Sequence, residues 1–224
     1  MAECDFEEKQ RVISMIANSW TRSEYYRIKA ILDEKIPTRM DLFKMMNVPQ
    51  YLSCIEKSKE NIFKQYLDAL EEMGELDAEE LAFKNDIGGE FLHVLETTLM
   101  QKTYKMVILK AFYNNGNIKM ALTEKDILDV WKDFFAAGDN WKDLGVESYQ
   151  EFLGITDEQH LTNARKNPIK HLLLSGQGFF VERPGYEIAL AEELKDVVKS
   201  DILIKHFGDI IEYRISEYFR KKNF

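Results

Sequence analysis

Apolar positions recur at intervals of three and four through most of the chain, the spacing that lines one side of a helix. In the first hundred residues this pattern predicts helices over 5–19, 22–34, 39–47, 58–73, 77–84 and 89–100. Ile62, Tyr66, Ala69, Leu70 and Met73 share one face and are expected in a core. Met40, Phe43, Met45 and Met46 read as core packing of a short helix, since methionine fills irregular interior gaps, with a Met-rich partner groove as the alternative. Helix starts are marked by a Thr three residues before an acid or amide: "TRSE" from 21, "TRMD" from 38, "TEKD" from 123 and "TDEQ" from 156. Each pair can satisfy two backbone N–H groups that a helix N-terminus leaves open.

After residue 100 the period changes twice. Tyr104, Val107, Ile108, Ala111 and Phe112 predict a helix over 102–114, ended near Gly116. "NIKMALT" alternates enough for a short strand over 117–122, and Thr123 opens a helix with Ile127, Trp131, Phe134 and Phe135 on one side. Residues 137–160 read as a partly helical insertion. A third helix lies within "HLTNARKNPIKHLLLS", with Pro168 dividing a leading turn from a main segment over 168–175. Phe179 to Glu182 and Tyr186 to Leu190 then read as strands joined through Pro184-Gly185, where Pro fixes one torsion and Gly permits a positive φ. An isolated hairpin is marginal in water, so this one must lean on the helices before it, with the strand at 117–122 as a candidate third member.

Helix, strand, two helices and a hairpin is the order of a winged helix. The expected fold is mainly α: an acidic N-terminal helical region over 1–100, then a C-terminal winged-helix-like domain with one β-hairpin over 101–224, closed by a helical pair.

Composition narrows the function classes. Cys4 and Cys54 match no metal-ligand spacing and imply no disulfide framework, which fits a reducing compartment. The start, "MAECDFEEKQ", lacks the basic and apolar parts of a secretory signal, and no run of about 18 apolar residues occurs. A soluble, cytoplasmic protein with no membrane partner is therefore expected. The net charge of −9 argues against indiscriminate phosphate binding. Residues 1–100 hold 12 basic and 20 acidic side chains, and residues 101–224 hold 18 and 19, so any nucleic-acid contact belongs to the second part.

Candidate chemistry is sparse. His93, His160, His171 and His206 form no paired-ligand spacing, and "SGQG" from 175 lacks the length and GK[ST] ending of a phosphate loop. "FKNDIGGEF" from 83 has an acid beside two glycines but no completing partner. With no linked nucleophile, base and electrostatic stabiliser, no catalytic residue, metal ligand or cofactor is assigned. The candidate site is nucleic-acid-binding: Arg165, Lys166, Lys170 and His171 on the third helix and Arg183 at the hairpin tip, converging on a phosphate backbone while Asn163 and Asn167 approach base edges. Asp157, Glu158, Glu182 and Glu187 oppose that use, and the same fold can dock a protein through its hairpin and acidic first part.

The segments "MQKTYKMVILKAFYNNGNIKMALTEKDILDVWKDFF" and "NARKNPIKHLLLSGQGFF" resemble the C-terminal helical region of bacterial superfamily 2 DEAD/DEAH-type helicases of restriction and defence systems. "YYRIKAILDEKIPTRMDLF", residues 25 to 43, resembles a segment that can precede that region. The chain departs from such helicases in having no Walker A lysine loop and no DEAD/DEAH box, so it is not the motor and no family catalytic residue carries over. The resemblance implies either a C-terminal portion separated from its ATPase or a free-standing relative that supplies substrate or partner recognition, and the leading expectation is a nonenzymatic DNA-associated recognition module with DNA and a helicase or other protein as candidate partners. A protein-interaction adaptor with a structural winged helix is the alternative.

Overall fold

The computed structural model describes residues 2–46 and 61–222. The chain divides into two compact units, Met1–Gly89 and Glu90–Phe224. Both are built mainly of helices, and the second also holds a small antiparallel sheet. No helix among the described residues is long and apolar enough to cross a membrane.

The first unit contains α1 (Ala2–Ile31), α2 (Arg39–Met45), α3 (Tyr66–Glu72) and α4 (Ala78–Lys84). Its core gathers Tyr25, Ile28, Leu42, Ile62, Phe63, Tyr66 and Leu70. Arg39 is wholly buried and stacks its guanidinium 4.2 Å from the centre of the Tyr66 ring. Thr38 caps α2 with the reciprocal pair its sequence promised, accepting from the Asp41 N–H while Asp41 accepts from the Thr38 N–H. "TRSE" does not start a helix, because α1 runs unbroken through it. Nothing between 19 and 22 interrupts the backbone ladder, Thr21 is buried, and Arg22 reaches the carbonyl and carboxylate of Glu72 instead of a cap. The helix expected over 58–73 begins only at Tyr66, since the Asn61 side chain accepts from the Phe63 N–H and holds 61–65 in a turn; residues 58–60, like Asn47 of the helix expected over 39–47, lie outside the described residues. Of the four residues expected to pack in the core around α2, Met46 is buried and Met40, Phe43 and Met45 are half-buried.

The second unit has the winged-helix order. Helix α5 (Ile87–Thr97) lies across the division between the units; α6 (Tyr104–Phe112), strand β1 (Ala121–Leu122) and α7 (Glu124–Ala136) follow. The expected insertion is partly helical, with a 3-10 turn at Asn140–Leu144 and α8 (Tyr149–Leu153). The third helix is assembled from α9 (Asp157–Ala164), a π-helical stretch Arg165–Ile169, and α10 (Lys170–Ser175). Strands β2 (Phe180–Val181) and β3 (Ile188–Leu190) form the hairpin, and β1 joins it in the order β1-β3-β2. The Tyr186 N–H closes the turn on the Arg183 carbonyl at 3.1 Å, with Gly185 at φ 83°. Phe180 of β2 packs against Phe91 and Phe112, ring centres 5.9 and 6.0 Å away, and Phe91 lies 6.0 Å from Phe207. Trp131 sits 4.9 Å from Phe135 and 5.2 Å from Tyr104, centre to centre.

The closing helical pair is a correction. Residues 192–199 form two 3-10 turns, and one helix, α11 (Asp201–Lys222), completes the chain. Its Gly208 permits a close approach rather than a break: a Cβ there would stand 2.7 Å from the Tyr113 ring.

The α7 start yields a pH-dependent contribution. Burial alone pushes the Asp126 carboxyl up, but hydrogen bonds from Lys119 and from the Thr123 backbone and hydroxyl outweigh it and hold the group at about 2. A carboxyl held low in the folded state stabilises fully above its ordinary value of 3.8 and loses that contribution as pH falls towards about 2. D126N should therefore cost about 1 kcal/mol at neutral pH, and the deficit should shrink between pH 4 and 2, measured by urea melts at each pH.

Candidate nucleic-acid interface

Pro168 explains the irregular third helix. A proline inside a helix offers no N–H, and its ring collides with the carbonyl four residues earlier. Widening one turn to π geometry relieves that collision, so the chain continues helically from Asp157 to Ser175 instead of splitting. The helix ends where Gly176 meets the Phe180 ring, 2.4 Å from where a Cβ would stand, and Gln177 and Gly178 then turn with positive φ. The wing is thereby set directly against the helix end.

Asn163, Lys166, Asn167, Lys170 and His171 are all exposed, at spacings that place them on the outward side of this helix. Among the described residues, neither lysine forms an ion pair. The ridge they form stands between two clefts. On the wing side, Arg165, Lys170 and Arg183 line a groove of about 800 Å³ together with Leu174, Glu182 and Tyr186. On the other side, Asn167 and His171 line a cleft of about 580 Å³ against the 98–105 segment. Asn163 borders a separate, shallower recess beside Ile155 and Glu158.

The two arginines differ from the lysines. Arg165 donates to both oxygens of Glu187, at 2.7 and 2.8 Å, and to Glu124 at 2.6 Å, with Glu158 at 3.8 Å. Glu187 adjoins β3 and Glu124 opens α7, so one guanidinium joins third helix, wing and second helix. Its hydrogen bond to Glu187 leads the causes that raise its pKa further above its ordinary value. Arg183 at the hairpin tip pairs with Glu192 at 3.1 Å. Both arginines thus spend their charge on neighbouring carboxylates, while Lys166 and Lys170 keep theirs for solvent or a ligand.

Two groups at the second cleft carry no nucleic-acid signature in the sequence: Lys102 and Lys105, on the segment entering α6. Lys105 is 9% exposed, and among the described residues its side chain's one hydrogen bond is to the Thr98 hydroxyl at 3.1 Å. Burial, and then the nearby Arg214, depress its pKa. No cluster of His, Cys, Asp and Glu among the described residues is arranged to hold a metal ion. No family model, no curated protein and no solved structure matches the chain.

Arg165 should behave as a structural clamp. R165A is expected to lower stability by about 1–2 kcal/mol, and a double-mutant cycle with E187Q should give a coupling of about 1 kcal/mol in denaturant melts. Additive effects would remove the clamp.

Proposed function

We propose that the second unit is a nonenzymatic nucleic-acid recognition module that lays the outward ridge of its third helix along a DNA backbone. The observation that carries this reading is the pair Lys166 and Lys170, one turn apart, exposed and free of carboxylate partners among the described residues, flanked by Asn163, Asn167 and His171. Ammonium groups so placed neutralise phosphates, and exposed amides can reach base edges. Arg165 holds the wing and helix in register, and Arg183 ties the hairpin tip to Glu192, rather than either touching the ligand. The resemblance of residues 100–135 and 163–180 to helicase C-terminal regions supports the same reading, with a motor protein as the partner class.

One feature favours the adaptor reading instead. In the wing-side groove, Leu174 is 72% exposed and Tyr186 46%, and the charges lining it nearly cancel. An apolar, charge-balanced groove suits a protein segment better than phosphate.

Fluorescence anisotropy with duplex and single-stranded DNA over a salt series separates the two. The expected outcome is binding that weakens steeply with salt, and a K166E/K170E variant whose log–log salt slope is shallower by about 2. No binding at low salt overturns the nucleic-acid reading and leaves the adaptor.

A further inference from the structure

The cleft opposite the wing is lined by Lys102, Lys105 and His171, by hydroxyls and amides of Thr98, Asn167 and Gln177, and by no carboxylate. That is uncommon on a chain of net charge −9. Behind it, α11 contributes a second buried cation. Arg214 is 8% exposed and donates to the carbonyls of Leu95 and Thr98 at 3.2 and 2.7 Å, and to that of Glu96, closing the C-terminus of α5. These acceptors are neutral carbonyls, so Arg214 forms no ion pair with them. Glu96, the buried carboxylate nearest in sequence, does not line the cleft. Asp143, another buried carboxylate, is engaged elsewhere: it accepts from the Thr103 N–H at 2.8 Å, the Thr103 hydroxyl at 2.6 Å and the Tyr218 hydroxyl. Lys102 donates to the Asp143 backbone carbonyl at 2.6 Å and to the Tyr104 hydroxyl at 3.2 Å, not to the Asp143 carboxylate.

Lys105 therefore sits nine-tenths buried, beside another cation, forming no ion pair among the described residues. Burying a charge without a counter-charge is costly, and proteins tolerate it where a ligand supplies the missing sign. Of the three N–H donors on this ammonium, one is committed to Thr98, which leaves two uncommitted among the described residues on a side chain that lines the cleft. His171 and the Asn167 and Gln177 amides offer further donors on the opposite wall. Gln177 holds φ 51°, a conformation that costs a non-glycine residue energy and that places it on the rim. A volume of about 580 Å³ is in the range that takes a small molecule rather than a lone ion.

We propose that this cleft binds a phosphomonoester dianion, with Lys105 as the buried counter-charge and Lys102 and His171 at the entrance. The phosphate group belongs either to a small phosphorylated compound or to the terminal phosphate of a nucleic-acid strand lying on the ridge; only the second source rests on the DNA reading above.

Thermal melts of the full chain test this with inorganic phosphate against chloride at matched ionic strength. Phosphate should raise Tm saturably by about 2–4 °C. K105M should melt no lower than the unsubstituted chain without phosphate, since it removes an unbalanced charge, and should lose the phosphate response; H171A should fold normally and respond more weakly. An absent response, a response retained in K105M, or a K105M chain that melts lower without phosphate each overturns the proposal. K166E/K170E should keep the phosphate response whole, which separates failure of the cleft from failure of the ridge. A short oligonucleotide carrying a 5′-phosphate that competes with inorganic phosphate, where its 5′-hydroxyl counterpart does not, assigns the strand end; competition by a phosphorylated monosaccharide alone assigns the small molecule.

Discussion

The C-terminal unit depends on burying β3. Ile188, Ala189 and Leu190 are all inaccessible to solvent, and the strand takes antiparallel partners on both sides, Ala121 and Leu122 on one and Phe180 and Val181 on the other. Two-stranded ribbons this short do not persist in water. The central strand persists because its side chains are buried and because its backbone is hydrogen-bonded at both edges: the Glu187 and Leu190 N–H groups to the Leu122 and Met120 carbonyls, each at 2.8 Å, on one, and the Ala191 N–H to the Phe179 carbonyl at 3.0 Å on the other. Once β3 is fixed, Glu187 is fixed beside it, and Arg165 can join the third helix to the wing. The position of the exposed ridge is thus a consequence of three apolar residues that never reach the surface.

The cations of this unit fall into three environments, and environment rather than residue type decides what each does. Arg165 and Arg183 lie against carboxylates and act as joints, a role suited to the planar guanidinium that can bond two oxygens at once. Lys166 and Lys170 stand in water, where an unpaired ammonium costs little and stays available. Lys105 and Arg214 are buried; Arg214 is hydrogen-bonded to helix-end carbonyls, and Lys105 has one hydroxyl. Count and spacing of basic residues in the sequence make these three groups look alike.

Periodicity and capping made most of the secondary structure legible. Thr38, Thr123 and Thr156 each form the reciprocal cap that their spacing implies, and Pro184-Gly185 turns the hairpin as expected. "TRSE" failed because the same spacing is compatible with an uninterrupted helix, and only the burial of Thr21 decides between the two. The C-terminal segment failed in the opposite sense, since the apolar pattern of 194–198 is satisfied by 3-10 turns as well as by a helix. Of the candidate site, the exposed positions 163, 166, 167, 170 and 171 follow from helical phase, which is local. The pairing of Arg165 with Glu187 and Glu124 spans 22 and 41 residues, and no local signal carries it. Asp77 also caps α4 with Glu80, a reciprocal pair of the kind sought that an acid rather than a Thr begins.

Lys105 shows where such a signal does exist. It lies inside Thr103–Leu109, a stretch in which every residue is buried, so its helical phase is that of the core while its chemistry is that of the surface. A conflict of this kind between phase and residue type has few physical resolutions. The side chain can reach out along its own apolar stem, but at 9% exposure it has not. It can pair with an acid, yet the nearby Asp143 is held by Thr103 and Tyr218. Burial and Arg214 already favour loss of its proton, and the resolution that keeps the charge is a counter-charge from outside the chain, for which the carboxylate-free lining of the cleft leaves space.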